Sequence, residues 1–463
     1  MNENHPNLER NVKDLLQSIK PGTHYNCPRI SSEYPDCSLP LTFDTNNICA
    51  YQCQYCFAAY SKSNNPALKG DFAFKPINVK YFCEMLGGKH PENPYYRNFI
   101  KYRFPLHIGG LSDCFDATEL KLGVTYELLK TLVEYKYPTA ISTKGTIMVN
   151  DEKYYNLLKE SAKNKNFIFQ FSIITNDDEK AKQIEKYAPT TTQRLEAMKK
   201  LSDLGYWTVL RLRPFIIGLS DDGLEELLTR AKEAGARGIS TEFFCVDMRC
   251  GKDVIRDRYK FISDLLGFDL VEFYEKLSPS SRGTYRRLNW RVKEHYVKRM
   301  YIKCKELGLQ FNTSDPDFKE LNMSGSCCCL PETRQDYDSE LVNWSRGQLT
   351  YQLKELRKRY WASGGKDKFL TWDMVKDAIP HNWMNEHKYY GDSIKCWNSD
   401  WAKDKMGHIH EFLDTWNNLR SSGNIYNYFD GVLVPSYLDE NKNIVYYYRP
   451  RPYEKRWMKE GIL

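Results

Sequence analysis

Long apolar runs, histidine clusters and low-complexity tracts are all missing from this 463-residue chain. No stretch approaches the roughly 20 apolar residues of a membrane helix, so no spanning segment is expected. The opening Met1-Asn2-Glu3-Asn4-His5-Pro6 lacks the apolar core of a signal peptide, and a cytoplasmic location is expected. The nine histidines form no metal motif; His5, His24, His90 and His107 are scattered and read as surface or core residues. No Gly-x4-Gly-Lys-Ser/Thr loop is present, which removes the common cradle for nucleoside triphosphates. Gly and Pro, at 26 and 20 residues, are too few for a collagen-like or disordered chain. No internal repeat is visible, so solenoids and propellers are excluded.

What is abundant is cysteine, with fourteen residues. A reducing compartment disfavours structural disulfides and leaves thiolates for metals or catalysis, so the spacing of these residues carries more information than their number. Hydrophobic residues make up 41% and charged residues 27%, enough to bury a real core. The formal net charge of +7 favours a polyanionic partner only if the excess lies on one face. The length allows about three units, or one large α/β barrel with an extension.

Short β-rich runs alternate with helical patterns from about Leu39 to Phe244, the signature of βα units around a parallel sheet. Six strands are expected, at Leu39–Asp44, Phe104–Ile108, Thr139–Thr143, Phe167–Ile174, Trp207–Arg213 and Gly238–Phe244. Amphipathic helices are expected over Arg194–Leu204 and Gly223–Ala234, with Gly205 and Gly235 at their C-caps. The second of two Gly-Leu-Ser-Asp runs, at Gly218, suggests a helix start with Ser220 as N-cap. Beyond Phe244 come longer helical segments, a loop at Ser278–Gly283, and a Trp- and Tyr-rich region ending in a hairpin, Gly431–Pro435 against Asn443–Tyr448. The expected division is an N-terminal extension 1–38, an α/β barrel unit 39–250, a helical Cys-rich extension 251–330 and a mixed α+β region 331–463.

The most informative residues are Cys49, Cys53 and Cys56, in Ile48-Cys49-Ala50-Tyr51-Gln52-Cys53-Gln54-Tyr55-Cys56-Phe57. Three thiolates this close can hold three irons of one [4Fe–4S] cube and leave the fourth iron open. A zinc knuckle would want a fourth ligand nearby, and after Cys56 no Cys or His follows until Cys83.

This Cys-x3-Cys-x2-Cys spacing, with an aromatic residue before the third Cys and a strand before the first, resembles the radical S-adenosylmethionine (AdoMet) superfamily. The resemblance spans about Leu39 to Phe244 and implies a partial (βα)6 TIM-type barrel. It also implies a [4Fe–4S] cluster whose open iron chelates AdoMet, and reductive cleavage to a 5′-deoxyadenosyl radical. An external reductant such as flavodoxin or ferredoxin would supply the electron. Further segments resemble the spore photoproduct lyase branch: Ile108-Gly109-Gly110-Leu111-Ser112-Asp113-Cys114-Phe115-Asp116 after the second strand, Ala140–Gly145 at the end of the third, and Phe171–Thr175 with Ala188-Pro189 and Arg194–Ala197 beyond. The resemblance implies that Gly109 and Gly110 face the AdoMet amino group, that Ser112, Lys144 and Ser172 contact AdoMet, and that Tyr55 packs near its adenine. Each has a plainer reading, as a tight turn, a solvated lysine and a hydrogen-bonded strand serine.

The departures matter as well. Spore photoproduct lyase carries a hydrogen-donating Cys two residues before the Ser-Asp pair and a relay Tyr after the third cluster Cys; here those places hold Gly110 and Phe57. Neither has an S–H or O–H bond to give. Cys114 is the nearby thiol that can substitute, or it packs as an inert buried thiol.

Two other constellations stand out. Ser326-Cys327-Cys328-Cys329-Leu330, with Cys245, Cys250 and Cys304, raises an auxiliary iron–sulfur cluster, against thiols that pack. From Arg282 to Lys305 nine basic residues stand against one acid, Glu294, with Tyr285, Trp290, Tyr296 and Tyr301 interleaved. That pattern suits DNA phosphates and bases, or equally an amphipathic helix whose aromatic residues face the core. The expected function is abstraction of hydrogen from a substrate, with a thymine-derived base in DNA as the first candidate, for repair or for modification or isomerisation. The alternatives are a peptide or small-molecule substrate with an auxiliary cluster, and a non-catalytic Fe–S nucleic-acid-binding module.

Overall fold

The computed structural model describes residues 6–19, 28–31, 36–60, 74–248, 253–279, 285–376, 412–420 and 424–463. His5, His24, Cys250, Arg282 and most of the expected loop before Tyr285 lie outside them. The chain forms two compact units. The first holds residues 1–29, 42–83 and 106–309; the second holds 30–41, 84–105 and 310–463.

Six consecutive strands of an eight-stranded sheet run in sequential order: β1 (Leu41–Phe43), β2 (Leu106–Ile108), β3 (Thr139–Thr143), β4 (Phe167–Ser172), β5 (Trp207–Phe215) and β6 (Gly238–Phe243). From β2 to β6 each pair is parallel. Helices connect them: α1 (Pro6–Gln17) precedes these strands, α2 (Val124–Glu134) follows β2, α3 (Glu152–Ser161) follows β3, α4 (Asp178–Ile184) and α5 (Thr191–Asp203) both follow β4, and α6 (Leu224–Glu233) follows β5. This is the expected α/β class, a partial (βα)6 barrel. All six expected strands are present, each with ends within two residues of the sequence reading.

Strand register divides the sheet into two faces. Ile141, Phe169, Thr208 and Leu210 belong to one face, with Phe171 and Ile239. Phe169 meets Tyr206 edge-on at 5.2 Å, and the Tyr206 hydroxyl donates to the Leu158 carbonyl of α3, so this apolar face is the one the helices cover. The opposite face carries His107, Ser142, Gln170, Ser172, Arg211 and Ser240. Because side chains alternate along a strand, the mixed composition of β4, Phe-Ile-Phe-Gln-Phe-Ser, encodes both faces at once.

Local signals set the helix ends. Thr190 and Gln193 form a reciprocal capping box at the start of α5. Gly205 and Gly235 have φ of +90° and +88° just past α5 and α6, where a left-handed residue closes the helix. One expectation is corrected: Ser220 does not cap α6. The cap position is Gly223, while the Ser220 hydroxyl accepts the Ile216 N–H at 2.9 Å and closes the turn before the helix.

The basic stretch becomes α7 (Trp290–Leu307), which buries Lys293, Val297, Met300, Tyr301 and Cys304. Tyr296 packs 5.5 Å from Phe215, and Arg299 pairs with Glu225 of α6 at 2.7 Å. Much of the stretch is therefore used internally; Arg287, Arg291 and Lys305 stay exposed.

The second unit contains α8 (Leu349–Ala362), a three-stranded antiparallel sheet of β7 (Phe369–Leu370), β8 (Leu433–Leu438) and β9 (Ile444–Tyr448), and α9 (Pro452–Lys459). The β8–β9 pair is the hairpin expected from the sequence. Its core is aromatic, with Trp416, Tyr446, Tyr448, Tyr453 and Trp457 all buried. Glu454 is fully buried and satisfied by Arg357 at 2.9 Å and the Tyr448 hydroxyl at 2.7 Å. No described helix is long and apolar enough to cross a membrane.

Candidate active site

The C-terminal ends of β1 to β4 carry, in order, the cysteine loop, the glycine turn, Lys144 and Ser172. The cysteine loop is pinned at close intervals. The Ala50 N–H donates to Asp116 at 2.8 Å, and its carbonyl accepts from Asn11 of α1 at 2.5 Å. The Tyr51 hydroxyl donates to the Phe115 carbonyl at 2.9 Å, and the Gln54 N–H to the Ile184 carbonyl at 2.9 Å. Gln52 takes a left-handed φ of +48°, which lets the chain reverse between the first two cysteines. The Cys56 N–H then closes onto the Cys53 carbonyl at 3.2 Å. None of the three cysteines is in a disulfide; Cys53 is buried, and Cys49 and Cys56 are partly exposed.

Gly109 is a position only glycine fills. Its φ is +87°, and a Cβ there would lie 2.0 Å from the Ser142 carbonyl oxygen. Gly110 differs: a Cβ there would meet nothing closer than 3.9 Å. The segment after β2 is held by buried carboxylates. Asp44 accepts the N–H groups of Leu111 and Ser112 at 2.8 and 3.0 Å. Asp113 accepts the Thr143 hydroxyl at 2.7 Å and the Lys144 N–H at 2.6 Å, stitching the glycine segment to the end of β3. Burial raises the Asp113 and Asp116 carboxyls, the latter to about 7. Sequence reasoning gave Asp44, Asp113 and Asp116 no role; the only local signal was the Ser-Asp-Cys-Phe-Asp run.

Ser112 is buried, and its hydroxyl has no hydrogen-bond partner. An orphaned buried hydroxyl asks for a ligand. Ser172 is buried at the end of β4, with its carbonyl held by Arg194 at 2.8 Å. Lys144 lies 5.6 Å from the Tyr55 ring centroid and 4.0 Å from a carboxylate that sequence reasoning missed, Glu185. Glu185 accepts the Tyr55 hydroxyl and pairs with Arg194 at 2.5 Å. Cys114 is 1% exposed; burial, with Asp113 and Glu119 adding, pushes its thiol well up.

On the polar face a directed chain of hydrogen bonds crosses four strands. His107 Nε2 meets Ser142 Oγ at 2.7 Å, Ser142 donates to Gln170 Oε1 at 2.8 Å, and Arg211 donates to the same oxygen at 3.1 Å. Burial first, then Arg211, Arg213 and Arg29, lowers the His107 pKa to about 3, so the ring is neutral and Nε2 carries the donated proton.

Among the described residues no three His, Cys, Asp or Glu side chains converge as they would on one metal ion. An iron–sulfur cube binds each thiolate through a different iron, so its ligands stand around it and need not converge. Burial raises the Cys53 thiol to about 12, with Lys144 opposing, and raises Cys49 further. Such thiols ionise when a metal takes the proton's place. Three reduced thiols on one loop, tied through Ala50 and Asp116 to the segment that carries the orphaned Ser112 hydroxyl, therefore fit a cluster with a ligand on its open side. Of the second group of cysteines, Cys250 lies outside the described residues. Cys329 Sγ points to Gln310 Oε1 at 3.4 Å, Cys327 and Cys328 lie 3.9 Å apart, and Cys304 is packed inside α7.

No protein-family model matches the chain, and no curated protein matches it. Among solved structures it resembles a spore photoproduct lyase mutant with bound AdoMet and dinucleoside spore photoproduct, at 16% identity and a TM-score of 0.44, over 62% of this chain and 80% of that one. A second spore photoproduct lyase mutant gives 17% identity and a TM-score of 0.45, over 62% and 80%. Streptococcus suis SuiB bound to S-adenosylmethionine gives 15% identity and a TM-score of 0.35, over 67% of this chain and 55% of that one.

Proposed function

We propose that this chain is a radical AdoMet enzyme, with Cys49, Cys53 and Cys56 holding a [4Fe–4S] cluster at the C-terminal mouth of the barrel. The observation that carries this reading is the placement of four elements on four successive strand ends: the cysteine loop, the Gly109 turn, Lys144 and Ser172. A cluster held there would supply the electron for reductive cleavage of AdoMet. The chain's own groups do the rest. Gly109 lets backbone approach the ligand without a side chain, Ser112 offers its unpaired hydroxyl, Lys144 meets the ligand carboxylate, and the buried Tyr55 ring gives the adenine an apolar wall. The rigid carboxylate stitching by Asp44, Asp113 and Asp116 keeps these groups fixed.

For the substrate we propose a thymine-derived base in DNA. The polar face carries the Arg211 guanidinium at the end of the hydrogen-bonded line from His107, and a guanidinium is a donor group that suits a substrate rich in acceptors. Gly110 and Phe57 have no weak bond to return hydrogen, which favours modification or rearrangement over reversal of a dimer, and Cys114 is the thiol this reading makes the donor. The test follows deuterium from candidate substrates, beginning with DNA of the native host, into 5′-deoxyadenosine. Transfer from the thymine methyl supports the proposal. Transfer from a peptide or small molecule, with DNA inert and its binding undetectable or independent of salt, refutes the DNA assignment.

A further inference from the structure

Around Tyr55 the structure buries a charged group that the cluster reading does not use. Glu185 is 1% exposed and follows α4, whose last carbonyl, that of Ile184, takes the Gln54 N–H of the cysteine loop at 2.9 Å. Oε1 accepts the Tyr55 hydroxyl, and Oε2 lies 2.5 Å from Arg194 Nη2. Arg194 is fully buried and anchored at the end of β4 through the Ser172 carbonyl at 2.8 Å. Lys144 Nζ stands 4.0 Å from Oε1, beyond hydrogen-bond reach, and no other group among the described residues takes one of its N–H bonds. Glu185 thus accepts a hydrogen bond from Tyr55 through Oε1, ion-pairs with Arg194 through Oε2 without a hydrogen bond of good geometry, and holds Lys144 by charge alone.

Lys144 and Arg194 share Glu185, and the second carboxylate that acts on Lys144, Asp113, gives its oxygens to the Thr143 hydroxyl and the Lys144 backbone N–H, so the Lys144 ammonium itself finds no hydrogen-bond acceptor among the described residues. A cation out of bulk water with unfilled donors calls for an anion. Of the other acidic groups that act on Lys144, Asp113 is thus committed to Thr143 and the backbone, and Cys53 would give its charge to iron as a cluster ligand. The unfilled Lys144 donors suit a ligand carboxylate, and the Lys144 side chain keeps 16% of its surface exposed.

We infer that Glu185 is the positioning residue of the AdoMet pocket, aiming Lys144 at the ligand carboxylate and locking the Tyr55 ring without itself touching the ligand. This rests on the radical AdoMet reading above. Anaerobically reconstituted wild-type, Glu185→Gln and Tyr55→Phe proteins are compared for iron and sulfide content and, by equilibrium dialysis, for dissociation constants of AdoMet and of decarboxylated AdoMet. Glu185→Gln is expected to keep wild-type iron content and to bind AdoMet about tenfold more weakly or worse, the scale of a single charge-assisted hydrogen bond. With decarboxylated AdoMet the loss in Glu185→Gln should shrink to the small one expected for Tyr55→Phe, because the carboxylate at which Lys144 is aimed is then missing while the ring lock is still lost; a purely structural role would weaken both ligands equally. Tyr55→Phe should show a smaller loss, and the double variant should be no weaker than Glu185→Gln, since the hydroxyl acts through Glu185. A wild-type AdoMet constant in Glu185→Gln, or an equal loss with both ligands, overturns the inference. If Glu185→Gln does not fold, Tyr55→Phe carries the test, and wild-type constants there overturn it. A wild-type protein that takes up no cluster or no AdoMet overturns instead the function on which the inference rests.

Discussion

His107 allows a prediction that depends on no cofactor. It is buried at β2, its Nε2 hydrogen is given to Ser142, and three arginines add to the burial that lowers its pKa from 6.5 to about 3. A histidine whose folded pKa is lowered contributes stability that is fully present above the unfolded value of 6.5 and is lost as pH falls toward 3, because the unfolded chain takes up the proton and the folded chain does not. Between pH 7.5 and pH 5 that uptake favours the unfolded state by about 2 kcal/mol, from about 1.36 kcal/mol per pH unit over the roughly 1.5 units below the unfolded value. His107→Gln removes the titrating group and keeps an N–H donor. The stability difference between wild type and variant, from urea unfolding at the two pH values, should shift by about 2 kcal/mol in the variant's favour at pH 5. In 13C-histidine-labelled protein one ring resonance, missing in the variant, should stay unprotonated down to pH 5. A His107 resonance that titrates near its ordinary value, or a stability difference that does not change with pH, refutes the reasoning.

Other expectations test the site residue by residue. Gly109→Ala should cost at least about 2 kcal/mol, from a left-handed backbone and a Cβ placed 2.0 Å from the Ser142 carbonyl, while Gly110→Ala should be close to neutral; equal losses in thermal unfolding would contradict the geometry. Ser112→Ala removes a buried hydroxyl with no partner, so the apo-protein should lose no stability while AdoMet binding weakens; a destabilised apo-protein would mean the hydroxyl was already satisfied. Cys114→Ser should still cleave AdoMet and abstract hydrogen but fail to deliver the normal product, because a serine O–H is too strong to quench a carbon radical. Wild-type product at the wild-type rate would assign Cys114 to packing.

The strands were legible because each carries a dense run of β-branched and aromatic residues bounded by turn signals, as in Phe167–Ser172. Strand ends moved by up to two residues where long-range pairing decided them. At β5 an irregular register between Leu212 and Phe215 carries the strand past Arg213. The cysteine loop, Gly109, Lys144 and Ser172 lie at the strand ends where the sequence reading expected them. Glu185 could not be found in that way: its partner Tyr55 lies 130 positions away, and nothing in Ile184-Glu185-Lys186 marks a buried carboxylate. Asp113 lies within a recognisable motif, yet its work of tying β2 to β3 shows only when the strands are side by side. Ser220 misled because a Ser before an acidic, helical run has the form of an N-cap, whereas a tight turn took its hydroxyl first. The basic run from Arg282 to Lys305 also reads two ways, and packing of Lys293, Tyr296 and Tyr301 is what separates its inward from its outward side chains.

The central claim is that Cys49, Cys53 and Cys56 hold a cluster that cleaves AdoMet. It is tested most directly by anaerobic reconstitution, reduction with dithionite in the presence of AdoMet, and quantification of 5′-deoxyadenosine alongside electron paramagnetic resonance of the reduced cluster. Wild-type protein should bind about four irons per chain, show a cluster signal that AdoMet perturbs, and form 5′-deoxyadenosine, whereas Cys53→Ala should do none of these. A fully loaded wild-type protein that forms no 5′-deoxyadenosine, or a Cys53→Ala protein with the same AdoMet-perturbed signal, would contradict the claim.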